Sequence, residues 1–405
     1  MTSLPAAAET PAPTEAPPVL GLAHVASCSF LASRLAPSGQ FFIALGGGLA
    51  LARAAQRHGL RAGYGASIAA MVQTVALIGP ARFNAPLTQA LNAPVIGRLI
   101  DRGSSFVVQL AACLGIRLVH YAILNVLFVA IVVGGLDEYV ATYDSFSGGI
   151  EKVIAFLIPG VERVNIFPAG QTAALLLTLV GSVFYGAAFS AIQVIVSGRA
   201  LRSWPEEPDG QPSVIVPGAV RVGGVRSVWL APVLVAIAWI AMLSFNEWVV
   251  LAAVAGALAA ATLFTRARRA GRTTWTVGIA LAALLALGAL VPAIIGAVDF
   301  EPAGRRAVRA ALLVLTATWA RAFAGSDGLR EAARRTLWAG RRVPAAAEAA
   351  RITALLQSDE KLMPAANALV AKFRNVPTEP GPLADALTEW VAAEARGYRP
   401  PGEEP

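Results

Sequence analysis

Apolar residues in this chain come in long, nearly unbroken runs, and only the last eighty or so positions return to a one-faced helical period. Runs of about 20 apolar residues are what a helix needs to cross the hydrocarbon core of a bilayer. The pattern predicts spans over 118–136, 170–197, 228–245, 247–265, 274–298 and 306–323. Two shorter runs, 40–52 and 65–80, are candidate short or tilted spans, with Arg53, Arg57, His58 and Arg61 between them. The apolar stretch 105–136 would measure about 48 Å as one helix, against a core of about 30 Å, so the reading places 105–117 on the inner surface and starts the span at 118. The segment 137–169 reads as an acidic loop.

After residue 325 the apolar positions fall on single helical faces. Ala345, Ala349, Ile352, Leu355 and Leu356 form one, and Leu362, Ala366, Leu369, Val370 and Phe373 another. Leu383, Leu387, Trp390 and Val391 form a third. That spacing is amphipathic helix. Residues 1–20 hold five prolines and two glutamates with no Arg or Lys, a composition that cannot bury a core. The expected organisation is therefore a Pro/Ala-rich disordered start over 1–20, a multi-span membrane domain over 21–324 and a cytoplasmic helical tail over 325–399. The expected fold class is all-α, a polytopic transmembrane helix bundle with a C-terminal cytoplasmic helical tail.

Composition strengthens the membrane reading. Of the 405 residues 56% are hydrophobic and 14% charged, with a mean hydropathy of +0.61. A soluble domain carries about 25% charged residues. The net charge of +8 comes almost wholly from arginine. These arginines cluster beside the apolar runs, which is the cytoplasmic-side bias of multi-span proteins and not a nucleic-acid footprint. Between 321 and 342 six arginines face two acids, which puts the C-terminus inside and the acidic segment 137–169 outside. The expected location is the bacterial inner membrane.

Chemistry-bearing motifs are sparse. Two cysteines, Cys28 and Cys113, support neither a disulfide framework nor a zinc quartet. The sequence holds no phosphate-binding G-x-x-x-x-G-K-[ST] loop, no H-E-x-x-H and no G-x-S-x-G. No cofactor, metal or catalytic set is assigned, and the chain leans away from an enzyme. Tyr121, Asn125 and His120 are the best polar set on the span 118–136, and Arg117 lies one turn from His120 at its inner end; Arg117, His120 and Asn125 are candidates for anchoring or for contact to lipid or an anionic substrate. Arg334, Arg335, Arg341 and Arg342 are candidates for docking a partner or anionic lipid. The twin motif Asn84-Ala-Pro86 and Asn92-Ala-Pro94 predicts two short helices over the inner surface, each with Asn as its cap and Pro in its first turn. Its alternative is a pair of half-helices that face a substrate. Glu394–Arg399 resembles a short motif of the transmembrane component of energy-coupling-factor transporters, but six residues outside the coupling-helix context assign no family.

The function these features point to is a membrane component of a transport or export assembly without its own nucleotide site. The alternative is a structural or regulatory membrane protein with no substrate path. Membrane lipids, a cytoplasmic protein at the tail and a second copy of the chain are the partners to expect; nucleic acid is not.

Overall fold

The computed structural model describes residues 14–15, 19–36, 38–79, 84–157, 168–205, 215–216, 229–245, 247–264, 272–296, 298–356, 359–373 and 379–398. Among these the chain forms thirteen helices. They are α1 (Leu20–Leu35), α2 (Gln40–Ile78), α3 (Asn84–Asp101), α4 (Phe106–Phe128), α5 (Leu136–Leu157), α6 (Gln171–Arg202) and α7 (Leu230–Ser244), then α8 (Trp248–Phe264), α9 (Arg272–Ile294), α10 (Phe300–Ala339), α11 (Pro344–Leu355), α12 (Asp359–Phe373) and α13 (Pro380–Gly397). A π-helical turn, Val129–Val133, continues α4. The only β pairing among the described residues joins β1 (Thr14–Glu15) to β2 (Ile215–Val216).

Among the described residues four helices are long and apolar enough to cross a membrane: Phe106–Val133, Gln171–Arg202, Thr274–Ile294 and Phe300–Ala339. The predicted spans 228–245 and 247–265 appear as helices of 15 and 17 residues. At 1.5 Å per residue those measure about 22 and 26 Å, a little short of the core.

The densest packing lies elsewhere. Helix α1 and the first half of α2 are buried on every side: Phe30, Leu31, Leu45, Leu49 and Leu51 are at most 2% exposed. Their cover is protein, supplied by α3, the C-terminal end of α6, and α11, α12 and α13. Glycines make the close approach possible, since a Cβ on Gly46 would meet the Trp390 ring at 2.9 Å and one on Gly97 would collide with the Ala52 carbonyl. Segment 40–52 thus lies inside a packed helical body, and the C-terminal helices of the predicted tail are part of its wall. Arg199 ties α6 to α13 through two hydrogen bonds to Asp385, 3.0 and 2.7 Å.

Three local expectations are corrected. The twin Asn-Ala-Pro motif is one continuous helix, α3, with Pro94 inside it. Asn92 caps nothing and is fully buried, because packing against α2 outweighs the single bond that proline removes from a helix interior. The stretch 106–128 is one unbroken helix, with no break between 117 and 118. Leu136–Leu157 is helix where a loop was predicted, started by Asp137 and Glu138 in a first turn that favours acids.

Two long helices bend at glycine. Gly59 in α2 has φ 83° and Gly325 in α10 has φ 70°, a left-handed backbone open to glycine without strain. The second bend separates the apolar part of α10 from its arginine-rich end.

Candidate functional site

Helix α4 is apolar almost throughout, yet its buried residues are Gln109, Cys113, Arg117 and His120. Steps of four, four and three place them in one stripe. The large apolar residues Val107, Val119 and Val126 point outward, 62–70% exposed. Helix α6 repeats the arrangement, burying Ser190, Gln193 and Ser197 while Phe184 is 69% exposed. Both helices are amphipathic inside out, the arrangement expected where hydrocarbon is the solvent.

The two polar stripes meet. Arg117 is 2% exposed. Its Nε donates to Ser190 Oγ at 3.2 Å and its Nη2 to Gln193 Oε1 at 2.8 Å. The Phe41 ring lies 6.0 Å from the guanidinium. Gly186 makes room for the contact, because a Cβ there would come within 3.1 Å of Leu114. Cys113 Sγ donates to the same Gln193 oxygen at 3.6 Å. Helix α3 completes the wall, with Thr88 Oγ1 2.9 Å from His120 Nδ1. One turn from Thr88, the fully buried Asn92 has neither amide atom partnered among the described residues; the same holds for Gln89 and for His120 Nε2.

No carboxylate pairs with Arg117 among the described residues. A buried cation is ordinarily matched by an anion, because removing it from water costs several kcal/mol that neutral dipoles only partly return. The surroundings of Arg117 are hydrogen-bonded but supply no opposite charge among the described residues.

A second polar cluster joins α10 to the π-turn. Arg306 forms an ion pair with Glu138. Arg309 Nη2 donates to the Ile131 carbonyl at 2.9 Å. The π-turn redirects backbone bonding, with Gly134 and Gly135 both donating to Val129, which leaves the Ile131 carbonyl for Arg309. Gly134, at φ 109°, leaves the space that the Arg306 and Glu138 side chains occupy. Further along α10, Arg321 donates to the Ala76 carbonyl at 3.2 Å and to Thr274 Oγ1 at 2.7 Å. Arg309 and Arg321, both inside the predicted span 306–323, therefore make internal contacts.

The predicted site residues separate. Arg117 and His120 share the buried stripe, while Asn125 is exposed on another face. Arg334 and Arg335 both pair with Glu331 at 2.7 Å. Arg341 is exposed and lies 5.8 Å from the Trp338 ring; Arg342 is exposed beside it. Sequence reasoning missed Ser190 and Gln193, the partners of Arg117. The signal was available as a polar step of three on an otherwise apolar helix. It also read Glu138 as a loop acid, although Gly134-Gly135 after a valine-rich run marks a backbone irregularity.

Cys28 and His24 make the one close cysteine–histidine contact among the described residues, Sγ to Nε2 at 3.5 Å. Burial pushes the thiol up and the imidazole down to about 4. Both groups are held neutral, so the pair packs and does not supply a thiolate nucleophile. Among the described residues no group of three His, Cys, Asp or Glu is placed to hold a metal ion. No protein-family model matches the chain, and comparisons with curated proteins and with solved structures find no match.

Proposed function

We propose that this is an integral membrane protein that serves as the membrane component of a transport or export assembly, and that its cargo or controlling ligand is an anion held at Arg117. The observation that carries the reading is a guanidinium 2% exposed on a membrane-length helix, bonded to Ser190 and Gln193 and matched by no carboxylate among the described residues. Intramembrane ionisable groups that face a bundle interior mark substrate and ion paths. Asn92, Gln89 and His120 add amide and imidazole groups with hydrogen-bonding capacity still unspent nearby.

The topology we infer has many spans in the inner membrane and a cytoplasmic C-terminus. Arginines of 266–272 and 321–342 then lie inside, and Asp137, Asp299 and Glu301 outside. Contacts between the start of α10 and α5, and between the ends of α6 and α13, support this by grouping like ends. Arg341 and Arg342 are the exposed cations through which an anionic lipid surface or an acidic partner would dock.

The test uses the full chain in nanodiscs of zwitterionic lipid. Thermal unfolding is followed as inorganic phosphate, a dicarboxylate or an anionic phospholipid is added. At a hundredfold excess over Kd a ligand of the folded state adds about 2.7 kcal/mol. At least one anion should stabilise the native chain and lose that effect in Arg117→Gln. Equal stabilisation of both proteins, or of neither, contradicts the reading. The rival, a structural membrane protein without a substrate path, draws on the bonds that Arg309 and Arg321 make to groups inside the protein and predicts that neither protein is stabilised.

A further inference from the structure

A cavity of about 420 Å³ lies between α2 and α3 on one side and α7 and α10 on the other. Its wall is aliphatic almost throughout, with Ile68, Met71, Val75, Leu87, Val235 and Ala317 contributing. Its residues on α2 run from Tyr64 to Ala76, which is three helical turns or about 18 Å at 1.5 Å per residue. A volume of about 420 Å³ drawn out along three turns of α2 makes a long, narrow slot, the shape of an extended hydrocarbon chain. The site is separate from Arg117, and Arg117 takes no part in it.

Three polar side chains line the slot. Tyr64 donates to the Leu91 carbonyl at 3.1 Å, and Trp239 Nε1 donates to Thr316 at 2.9 Å. Ser67 is different. It is 3% exposed, and its hydroxyl has no partner among the described residues. Other buried helical hydroxyls here bond to the carbonyl one turn back, as Thr74 does to Ala70 and Ser27 to Ala23. A lone, buried donor in an apolar slot is built to meet an acceptor on an apolar ligand. On the α7 side the slot borders an exposed apolar surface: Val233, Leu234 and Ile237, beside the lining residues Pro232 and Val235, are exposed.

We propose that this slot binds one acyl chain of a membrane lipid, whose ester carbonyl accepts a hydrogen bond from Ser67 Oγ. The lipid then wedges the packed helices α2 and α3 to α7 and α10.

The test reconstitutes the full chain in phosphatidylcholine vesicles doped with a phosphatidylcholine whose acyl chain carries a diazirine. A parallel sample carries a free fatty acid with the same group. After irradiation the adducts are mapped by mass spectrometry. The phospholipid should label 64–76 and the lining residues Val235 and Trp239, as well as the outward residues Val126 and Phe184. Filling the slot with Ala317→Phe, or independently with Ala90→Leu, should cut the slot adducts at least about tenfold and leave those on Val126 and Phe184 unchanged, since a filled cavity excludes its ligand. Ser67→Ala should cut them by about three- to tenfold, the ordinary worth of one hydrogen bond. Unchanged outward labelling shows that each variant is folded and inserted. Phospholipid adducts confined to outward faces, or slot adducts untouched by both filling variants, overturn the proposal. Slot labelling by the fatty acid but not by the phospholipid overturns the lipid as its source.

Discussion

Helices α1 and α2 and helices α4 and α6 look alike in sequence and differ in what surrounds them. All four are apolar on most faces. Leu45 and Leu49 of α2 are at most 2% exposed, whereas Val126 of α4 is 67% exposed. The first pair buries its leucines under protein; the second turns Val107, Val119, Val126 and Phe184 outward and buries Arg117, Gln193 and Ser190. A helix that is hydrophobic all round is either a protein core or a membrane span. What separates the two cases is where the large apolar side chains go: Leu45, Leu49 and Leu51 are buried in the first half of α2, whereas Val119, Val126 and Phe184 face outward from α4 and α6 while Arg117, Ser190 and Gln193 are buried, with Arg117 hydrogen-bonded to the other two.

This contrast can be broken by mutation, and the largest effect belongs to the protein-wrapped pair. Gly97→Val forces a side chain into the Ala52 carbonyl, and the backbones of α2 and α3 have no slack there. It should abolish recovery of folded protein, as read by size-exclusion of detergent extracts. Leu49→Ala in the same body should cost about 2–5 kcal/mol in thermal or denaturant unfolding, the usual range for a fully buried leucine.

Acid should loosen the same region. Burial holds His24 neutral, its pKa lowered from 6.5 to about 4. The unfolded chain takes up a proton in that window and the folded chain does not. Stability is therefore full above about pH 6.5, falls as pH drops toward 4 and levels off below, a change of about 3 kcal/mol by linkage. Unfolding midpoints measured from pH 7.5 to 4 should show this slope, and His24→Gln should flatten it.

In the second pair the effect on stability reverses sign. Arg117→Met replaces a buried cation that has no counter-ion among the described residues, so in anion-free nanodiscs it should be neutral or stabilise by about 1 kcal/mol while removing anion-dependent stabilisation. A loss of several kcal/mol would show that the guanidinium is part of the packing frame. Smallest of all, Asn125→Ala and Phe184→Ala should each shift stability by less than about 0.5 kcal/mol, since both side chains face outward.

The same contrast decides how much was legible in sequence. The long runs at 118–136, 170–197, 274–298 and 306–323 each fall within or largely overlap a membrane-length apolar helix, because length and apolarity are local properties. The placement of 40–52 was not legible, since its wall comes from residues more than three hundred positions away, such as Leu387 and Trp390. Arg117 and His120 stood out as polar residues on an apolar run. The roles of Ser190 and Gln193 did not, as nothing near them in sequence says that Arg117, over seventy positions earlier, is their partner. Asn92 was misread because Asn-x-Pro is a strong helix-start signal that tertiary packing overrode.

The most direct test of the contrast dissolves a small hydrophobic carbene precursor in the bilayer around the native chain and maps its insertion sites by mass spectrometry. The outward residues of α4 and α6, including Val107, Val119, Val126 and Phe184, should be labelled, and Ile43–Ala55 of α2 should not. Labelling of 43–55 as dense as that of α4 would make α2 a lipid-facing span and contradict the account.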